Sequence, residues 1–333
     1  MGPMNVLVVG GAGYVGSHTV RLLMEKGHRV WVYDNLCKGH AEAVPPGCLI
    51  EGSLHDRGLL QQIMLDKEIE AVMHFAAFAL VGESVQHPAI YYQNNVVAAL
   101  ELLEAMRAVG VWRIVFSSTT ATYGQPDKIP ISEETLQLPI NPYGFTKLVL
   151  ERALADYANA YGFGVAALRY FNAAGASRDG VIGEDHDPES HLIPIVLQVA
   201  LGQRPHVTVF GNDYPTPDGT CIRDYVHVED LATAHLAALE KLQPNSSLQL
   251  NLGTGKGNSV LEVIEACRSV TGHPIPIEWG PRRSGDPAEL IADARKAQQV
   301  LGWSPQYVQI RDTIATAWKW HASHPLGYRT PKS

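Results

Sequence analysis

In "INPYGFTK", residues 140–147, a tyrosine stands four residues ahead of a lysine. A phenol is a poor base near neutral pH, because its reference pKa is about 10. An ammonium close by stabilises the phenolate and lowers that value. Tyr143 and Lys147 could then form a general base usable at neutral pH. The spacing works only on a helix, where residues i and i+4 share a face with Cβ atoms about 5–6 Å apart. The segment predicts one. Asn141 suits an N-cap and Pro142 the first helical position. Leu148, Leu150, Leu154, Tyr157 and Ala158 recur at roughly helical period, and Gly162 closes the run. Taken alone, the short Tyr-x-x-x-Lys pattern reads more readily as a half-buried tyrosine beside a surface lysine.

A second group has the make-up of a nucleotide site. "GGAGYVG" sets Gly10, Gly13 and Gly16 three residues apart, between an apolar strand pattern and an amphipathic helix pattern. Such a turn brings backbone N–H groups and a helix N-terminus close to a pyrophosphate. The third glycine permits close helix–strand packing. Asp34 ends the next strand pattern, 18 residues past Gly16. A carboxylate there accepts both ribose hydroxyls and repels a 2′-phosphate, which selects NAD over NADP.

The elements around these groups alternate. Strands are predicted at 5–10, 29–34, 48–54, 71–77, 113–119 and 164–172, and helices at 17–27, 56–68 and 96–110, with the Tyr143 helix after them. Continuous apolar strands alternating with helices indicate an α/β fold, a Rossmann-type doubly wound parallel sheet covered on both faces. After about residue 175 the elements shorten and the loops become rich in Gly, Pro, Asp and His. A helix at 229–242 and a strand at 247–255 resume the earlier pattern and suggest a return to the first sheet. The expected organisation is a dinucleotide-binding domain over 4–175, rejoined by 225–255, and a smaller α/β substrate domain drawn mainly from 176–330.

The 333 residues, 46% of them hydrophobic, suffice for such cores, and a formal charge of −8 argues against general nucleic-acid binding. No apolar run has the length of a membrane span and no signal-peptide pattern opens the chain, so a cytoplasmic protein is expected. Cys37, Cys48, Cys221 and Cys267 show no Cys-x-x-Cys spacing and read as reduced thiols.

With the glycine turn, Asp34, "FSSTTATYG" (116–124) and "YGFTK" (143–147), the chain resembles the extended short-chain dehydrogenase/reductase superfamily, and within it the UDP-glucose (UDP-galactose) 4-epimerases. The resemblance runs end to end through "DNLCKGH" (34–40), "LRYFNAAGA" (168–176), "VFGNDYPTPDGTCIRDYVHVEDLA" (209–232) and "RRSGD" (282–286). It implies reversible inversion at C4 of a UDP-hexose through a 4-keto sugar, with NAD bound throughout. Tyr143 is then the base on the sugar 4-hydroxyl. Lys147 holds the nicotinamide ribose and lowers the Tyr143 pKa. Thr119, where the family usually has Ser, bonds the sugar O4, with Thr120 as the fallback. The resemblance assigns the cofactor to Gly10, Gly13, Tyr14, Val15, Gly16, Asp34, Asn35, Ser53, Leu54, Phe75, Ala76, Ala77, Asn94, Tyr143, Lys147 and Tyr170. It assigns the UDP-sugar to Ser84, Thr119, Tyr143, Asn172, His191, Leu192, Phe210, Arg223, Arg283, Asp286 and Leu290. Arg223 and Arg283 would grip the diphosphate, Asp286 the uridine ribose, and Phe210 the uracil.

Three positions depart from the family pattern. Ser53 replaces an Asp that accepts from the adenine amino group, Ala79 replaces a Lys near the pyrophosphate, and His191 replaces an Asn near the diphosphate. Leu290 stands where a large aromatic would confine the pocket to glucose and galactose, so UDP-GlcNAc is an expected further substrate. The run Glu184, Asp185, His186, Asp187, Glu189, His191 reads as a polar loop, and no metal is expected. A homodimer is expected, paired through the helix at 96–110 and the Tyr143 helix. Alternatives of the same fold are a UDP-arabinose/UDP-xylose 4-epimerase, a nucleotide-sugar 4,6-dehydratase and a non-catalytic NAD(H)-sensing protein. Thr120-Ala121, where a dehydratase commonly carries Asp-Glu, counts against the second. The presence of both Tyr143 and Lys147 counts against the third.

Overall fold

The computed structural model describes residues 2–283 and 285–329. Strands β1 (Asn5–Val9), β2 (Arg29–Asp34), β3 (Leu49–Glu51), β4 (Ala71–His74), β5 (Arg113–Thr119) and β6 (Gly164–Tyr170) alternate with helices α1 (Tyr14–Glu25), α2 (Arg57–Asp66), α3 (Val81–Gln86), α4 (Pro88–Tyr91), α5 (Ala98–Val109) and α6 (Pro142–Tyr161). A short strand β7 (Asn172–Ala174) follows, then α7 (Leu192–Ala200), β8 (Val207–Phe210), β9 (Ile222–His227), α8 (Val228–Lys241) and β10 (Ser247–Leu252). The chain finishes with β11 (Gly257–Ser259), α9 (Val260–Thr271), β12 (Ile277–Gly280), β13 (Glu289–Leu290), α10 (Arg295–Leu301) and α11 (Ile310–Ser323).

Seven parallel strands form the main sheet in the order β10-β6-β5-β4-β1-β2-β3. Successive side chains of a strand face opposite sides, so a strand buried on both faces must be apolar throughout. β1 shows this directly. Val6 and Val8 join a core with Val20 and Leu23 of α1 and Leu231 and Leu239 of α8. Leu7 and Val9 join the opposite core with Leu60 of α2, Leu102 of α5 and Leu150 of α6. The sheet reverses direction of growth beside β1 and β4, and the glycine turn lies at that point.

A third core gathers Val196 and Leu197 of α7, Ile264 of α9 and Ile314 of α11 against Val207 and Val209 of β8. Two small sheets accompany it: β9 flanked by β11, β13 and β7, and the pair β8–β12. The later half of the chain thus supplies both this layer and, through α8 and β10, the main sheet.

Two differences from the sequence pattern bear on the site. The strand expected over 164–172 breaks at Phe171, and Asn172 pairs instead with Tyr225 of β9. The helix expected from residue 96 begins at Ala98, behind a wider π-type turn over Tyr92–Val97. Asn95 in that turn is buried and exchanges hydrogen bonds with the backbone of Phe78 at 2.9 and 3.0 Å. Such turns recur at functional sites, where they redirect a side chain. Here the turn delivers Asn94 to the cavity described next.

Candidate active site

A cavity of about 460 Å³ opens at the C-terminal ends of the main-sheet strands. Gly10, at φ +76°, turns the chain from β1 toward α1. A Cβ there would meet the Ala76 backbone nitrogen at 2.4 Å, and one on Gly16 would meet the Gly10 carbonyl at 2.3 Å. Only glycine allows this close passage of backbone. Gly13 is the N-cap of α1 and supplies no side-chain cap. The first N–H groups of the helix are therefore available to an anion. Asp34, at the end of β2, accepts from the N–H groups of Ala12 and Leu36 at 3.0 and 2.9 Å. A carboxylate has about four acceptor sites, so two remain for ribose hydroxyls. Cradle, helix end and carboxylate fit the dinucleotide that the sequence implies.

Every residue given a cofactor role lines the cavity except Lys147. Ser53, Ala79 and His191, the three departures from the family pattern, all line it. Of the substrate set, Thr119, Tyr143, Asn172, His191, Arg223 and Leu290 line it, while Ser84, Leu192, Phe210, Arg283 and Asp286 do not. Ser84 is fully buried, and its hydroxyl donates to the Val81 carbonyl at 2.7 Å, so it holds α3 together instead. Leu192 opens α7 and packs against the third core. The Arg283 guanidinium lies 4.2 Å from the centre of the Phe210 ring. Asp286 accepts a short hydrogen bond from Arg223. Arg223 also donates to the carbonyls of Ile222 and Pro287 at 2.7 and 2.8 Å, which leaves its Nε without a partner among the described residues. Arg282 pairs with Asp213 at 2.6 Å on the surface.

Asn141 caps α6 by accepting from Gly144 at 2.8 Å, and Gly162 ends the helix in the left-handed conformation. Tyr143 thus sits in the first turn, facing Thr119 at the end of β5. Thr119 Oγ1 accepts from the Ala121 N–H at 3.2 Å, whereas Thr120 turns its hydroxyl to the Tyr170 carbonyl. Burial is the main influence on the Tyr143 phenol and raises its pKa above the ordinary value; the hydrogen bond with Thr119 works downward but loses.

Burial acts on Lys147 as well, and works against the expected lever. Burial pushes its own pKa down to about 7, against the upward pull of Glu151. Its Nζ donates to the Ser117 carbonyl at 2.8 Å and lies 4.7 Å from the Phe116 ring centre. A lysine partly neutral near pH 7 is a weak electrostatic lever on a buried phenol.

Ser117, Lys38 and His186 also line the cavity without having been singled out as site residues. His186 was legible only as part of its Glu-x-His-x-x-Glu-x-His spacing. In the structure Glu184, His186, Glu189 and His191 converge, with one ligand-type atom of each within 4.8 Å of the others. They form a compact cluster at the cavity wall rather than a spread polar loop.

Residues 6–253 match the NAD dependent epimerase/dehydratase family. The chain belongs to that family. Among members of known activity, the UDP-glucose 4-epimerase of Halalkalibacterium halodurans is 57% identical over 98% of each chain. The solved UDP-glucose 4-epimerase from Brucella ovis, in complex with NAD, is 49% identical with a TM-score of 0.91, covering 95% of this chain and 97% of that one. The epimerase from Bifidobacterium longum, in complex with NAD+ and UDP, is 40% identical with a TM-score of 0.92, covering 97% and 100%. In this epimerase/dehydratase fold the cavity described above is the candidate active site.

Proposed function

We propose that the protein interconverts UDP-glucose and UDP-galactose by inverting C4, with NAD retained through the cycle. The supporting observation is the single cavity that Tyr143 and Thr119 share with the glycine turn and Asp34. NAD, when bound, accepts the C4 hydride and returns it to the opposite face. The rest of the work falls to the chain. Tyr143 takes the proton from O4 and gives it back, and Thr119 bonds O4 in both configurations. Arg223 and Asn172 hold the diphosphate end, so the 4-keto sugar can turn about its bonds to the diphosphate and present its other face. Arg223 must exchange part of its present bonding for phosphate, a bidentate task suited to guanidinium. Asp34 directs selection toward NAD and away from NADP.

Incubation with UDP-galactose, followed by NMR, should reveal UDP-glucose forming without added NAD. Absence of the 4-epimer with both hexose substrates, but conversion of UDP-arabinose, would favour the pentose reading instead. Nucleotide released by acid from purified protein should be NAD(H) by mass; mainly NADP(H) would overturn the Asp34 argument.

A cytoplasmic homodimer completes the reading. Tyr92 (38%), Val97 (39%), Phe145 (45%) and Tyr161 (54%) leave substantial apolar surface exposed around α5 and α6. Pairing two such faces as a four-helix interface would cover it. Among the described residues no helix is long and apolar enough to cross a membrane. Sedimentation should give a dimer that Phe145→Glu converts to monomer.

A further inference from the structure

We propose that Glu184, His186, Glu189 and His191 form a binding site for one divalent first-row transition-metal ion, of the zinc type, at the wall of the active-site cavity. Two carboxylates are held there out of solvent, with 3% of the Glu184 side chain exposed and 4% of Glu189. Their ion-pair partners among the described residues are the two imidazoles alone. Two buried negative charges need compensation. Either both imidazoles carry protons or one divalent cation supplies the same charge.

The convergence of four ligand-type side chains suits the cation. His186 Nδ1 lies 3.1 Å from Glu184 Oε1 and is a buried atom that makes no well-formed hydrogen bond. An unpartnered ring nitrogen facing the cluster is free to act as a ligand. His191 Nδ1 hydrogen-bonds Glu184 Oε1 at 2.5 Å, and at Glu189 it lies 3.7 Å from Oε1 while His186 Nδ1 lies 4.0 Å from Oε2. Ligand atoms about 2.1 Å from a tetrahedral zinc lie roughly 3.4 Å from one another. The separations of 3.1, 3.7 and 4.0 Å lie around that spacing, and ion binding would replace the shorter His191–Glu184 hydrogen bond. Glu189 Oε1 is held by the N–H groups of Ser190 and His191 at 2.7 and 2.9 Å, which fixes the carboxylate and leaves Oε2 open. Two imidazole nitrogens with two carboxylate oxygens suit zinc and its neighbours better than the all-oxygen shell of magnesium or calcium. Since His186 and His191 also line the cavity, the ion would add positive charge on the side where the diphosphate is proposed to bind.

The inference is independent of the epimerase reading, which requires no cation. Chelator-treated full-length protein, dialysed against Zn2+ and then freed of excess, should retain one zinc per chain by elemental analysis. The double variant His186→Gln/Glu189→Gln should lose it, while keeping the wild-type circular dichroism spectrum. Co2+ loaded into the wild type should give the visible bands of a four- or five-coordinate site without thiolate charge transfer, a readout that needs no variant. Zinc retained equally by wild type and double variant, no retention by either, or a thiolate signature from the cysteines would overturn the assignment. Because metal content is read separately from turnover, failure here and failure of the epimerase reading are distinguishable.

Discussion

At the scale of single residues, the chemistry depends on which influence controls Tyr143. Burial holds its phenol protonated, and Lys147, drawn to the Ser117 carbonyl, does not reverse that. The phenol of the nucleotide-free protein should therefore titrate above its ordinary value, and loading with NAD+ should bring it down. The tyrosinate difference spectrum of wild type minus Tyr143→Phe measures both. A phenol already low without nucleotide would restore the lysine lever. Tyr143→Phe should lower turnover by about 10²–10⁴-fold while leaving bound NAD in place. Near-wild-type turnover would remove Tyr143 from the reaction. Leu290 tests the sugar pocket. It lines the cavity and pairs with Arg223 across β13 and β9. The protein should accept UDP-GlcNAc, and Leu290→Tyr should reduce that activity relative to UDP-glucose by roughly 10–200-fold, as for a lost fit in a pocket. Parallel loss of both activities would place the limit elsewhere. The glycine turn and Asp34 were legible in the sequence because a local pattern at two strand ends fixes them, whereas Phe75, Asn94 and Tyr170 came only with the family resemblance. The bonding of Ser84 within α3 and of Asp286 to Arg223 was not legible, because those partners come from the folding of α3 and from a loop meeting β9.

At the scale of elements, α6 carries more than its apolar stripe. The sequence gave away its caps and its inward leucines, since both follow a local pattern. It did not reveal Glu151, one turn beyond Lys147, which is 5% exposed. That carboxylate accepts from Arg169 of β6 at 2.5 and 2.9 Å and from Ser118 of β5, while Arg169 also reaches the Tyr123 hydroxyl at 2.7 Å. The network fastens the catalytic helix to the two strands whose ends carry Thr119 and Tyr170. A charged residue in a helix pattern reads as solvent-facing until a partner from a distant strand is known. Removing one member of a buried pair leaves the other uncompensated and costs about 3–5 kcal/mol. Glu151→Ala should lose that much in chemical denaturation. The double variant Glu151→Leu/Arg169→Met should lose less, because no lone charge remains. Equal losses would show that volume, not charge, governs the position.

At the scale of the whole molecule, the two halves of the chain are interleaved, and the site forms where they meet. Phe171 illustrates why the sequence could not divide them cleanly. The apolar run continues through it, but the backbone leaves the main sheet after Tyr170 and enters the small one at Asn172, a choice made by pairing with β9. Packing of α6 on β5 also buries Lys147, and that burial makes stability depend on pH. Its folded pKa is about 7, below the unfolded reference of about 10.4. Between those values the unfolded chain binds more protons, so this group makes stability rise with pH across the window. Below about pH 7 its penalty is constant, and above about pH 10 it vanishes. Other titrating groups respond to the same pH change, so the contribution of Lys147 is read as a difference. The melting temperature of wild type relative to Lys147→Met should climb between pH 7 and 9 in nucleotide-free protein. Bound NAD, by giving the ammonium a partner in the ribose, should flatten that climb. A difference that falls with pH would mean that the lysine is charged and satisfied in the folded protein, and that burial is not the dominant influence on it.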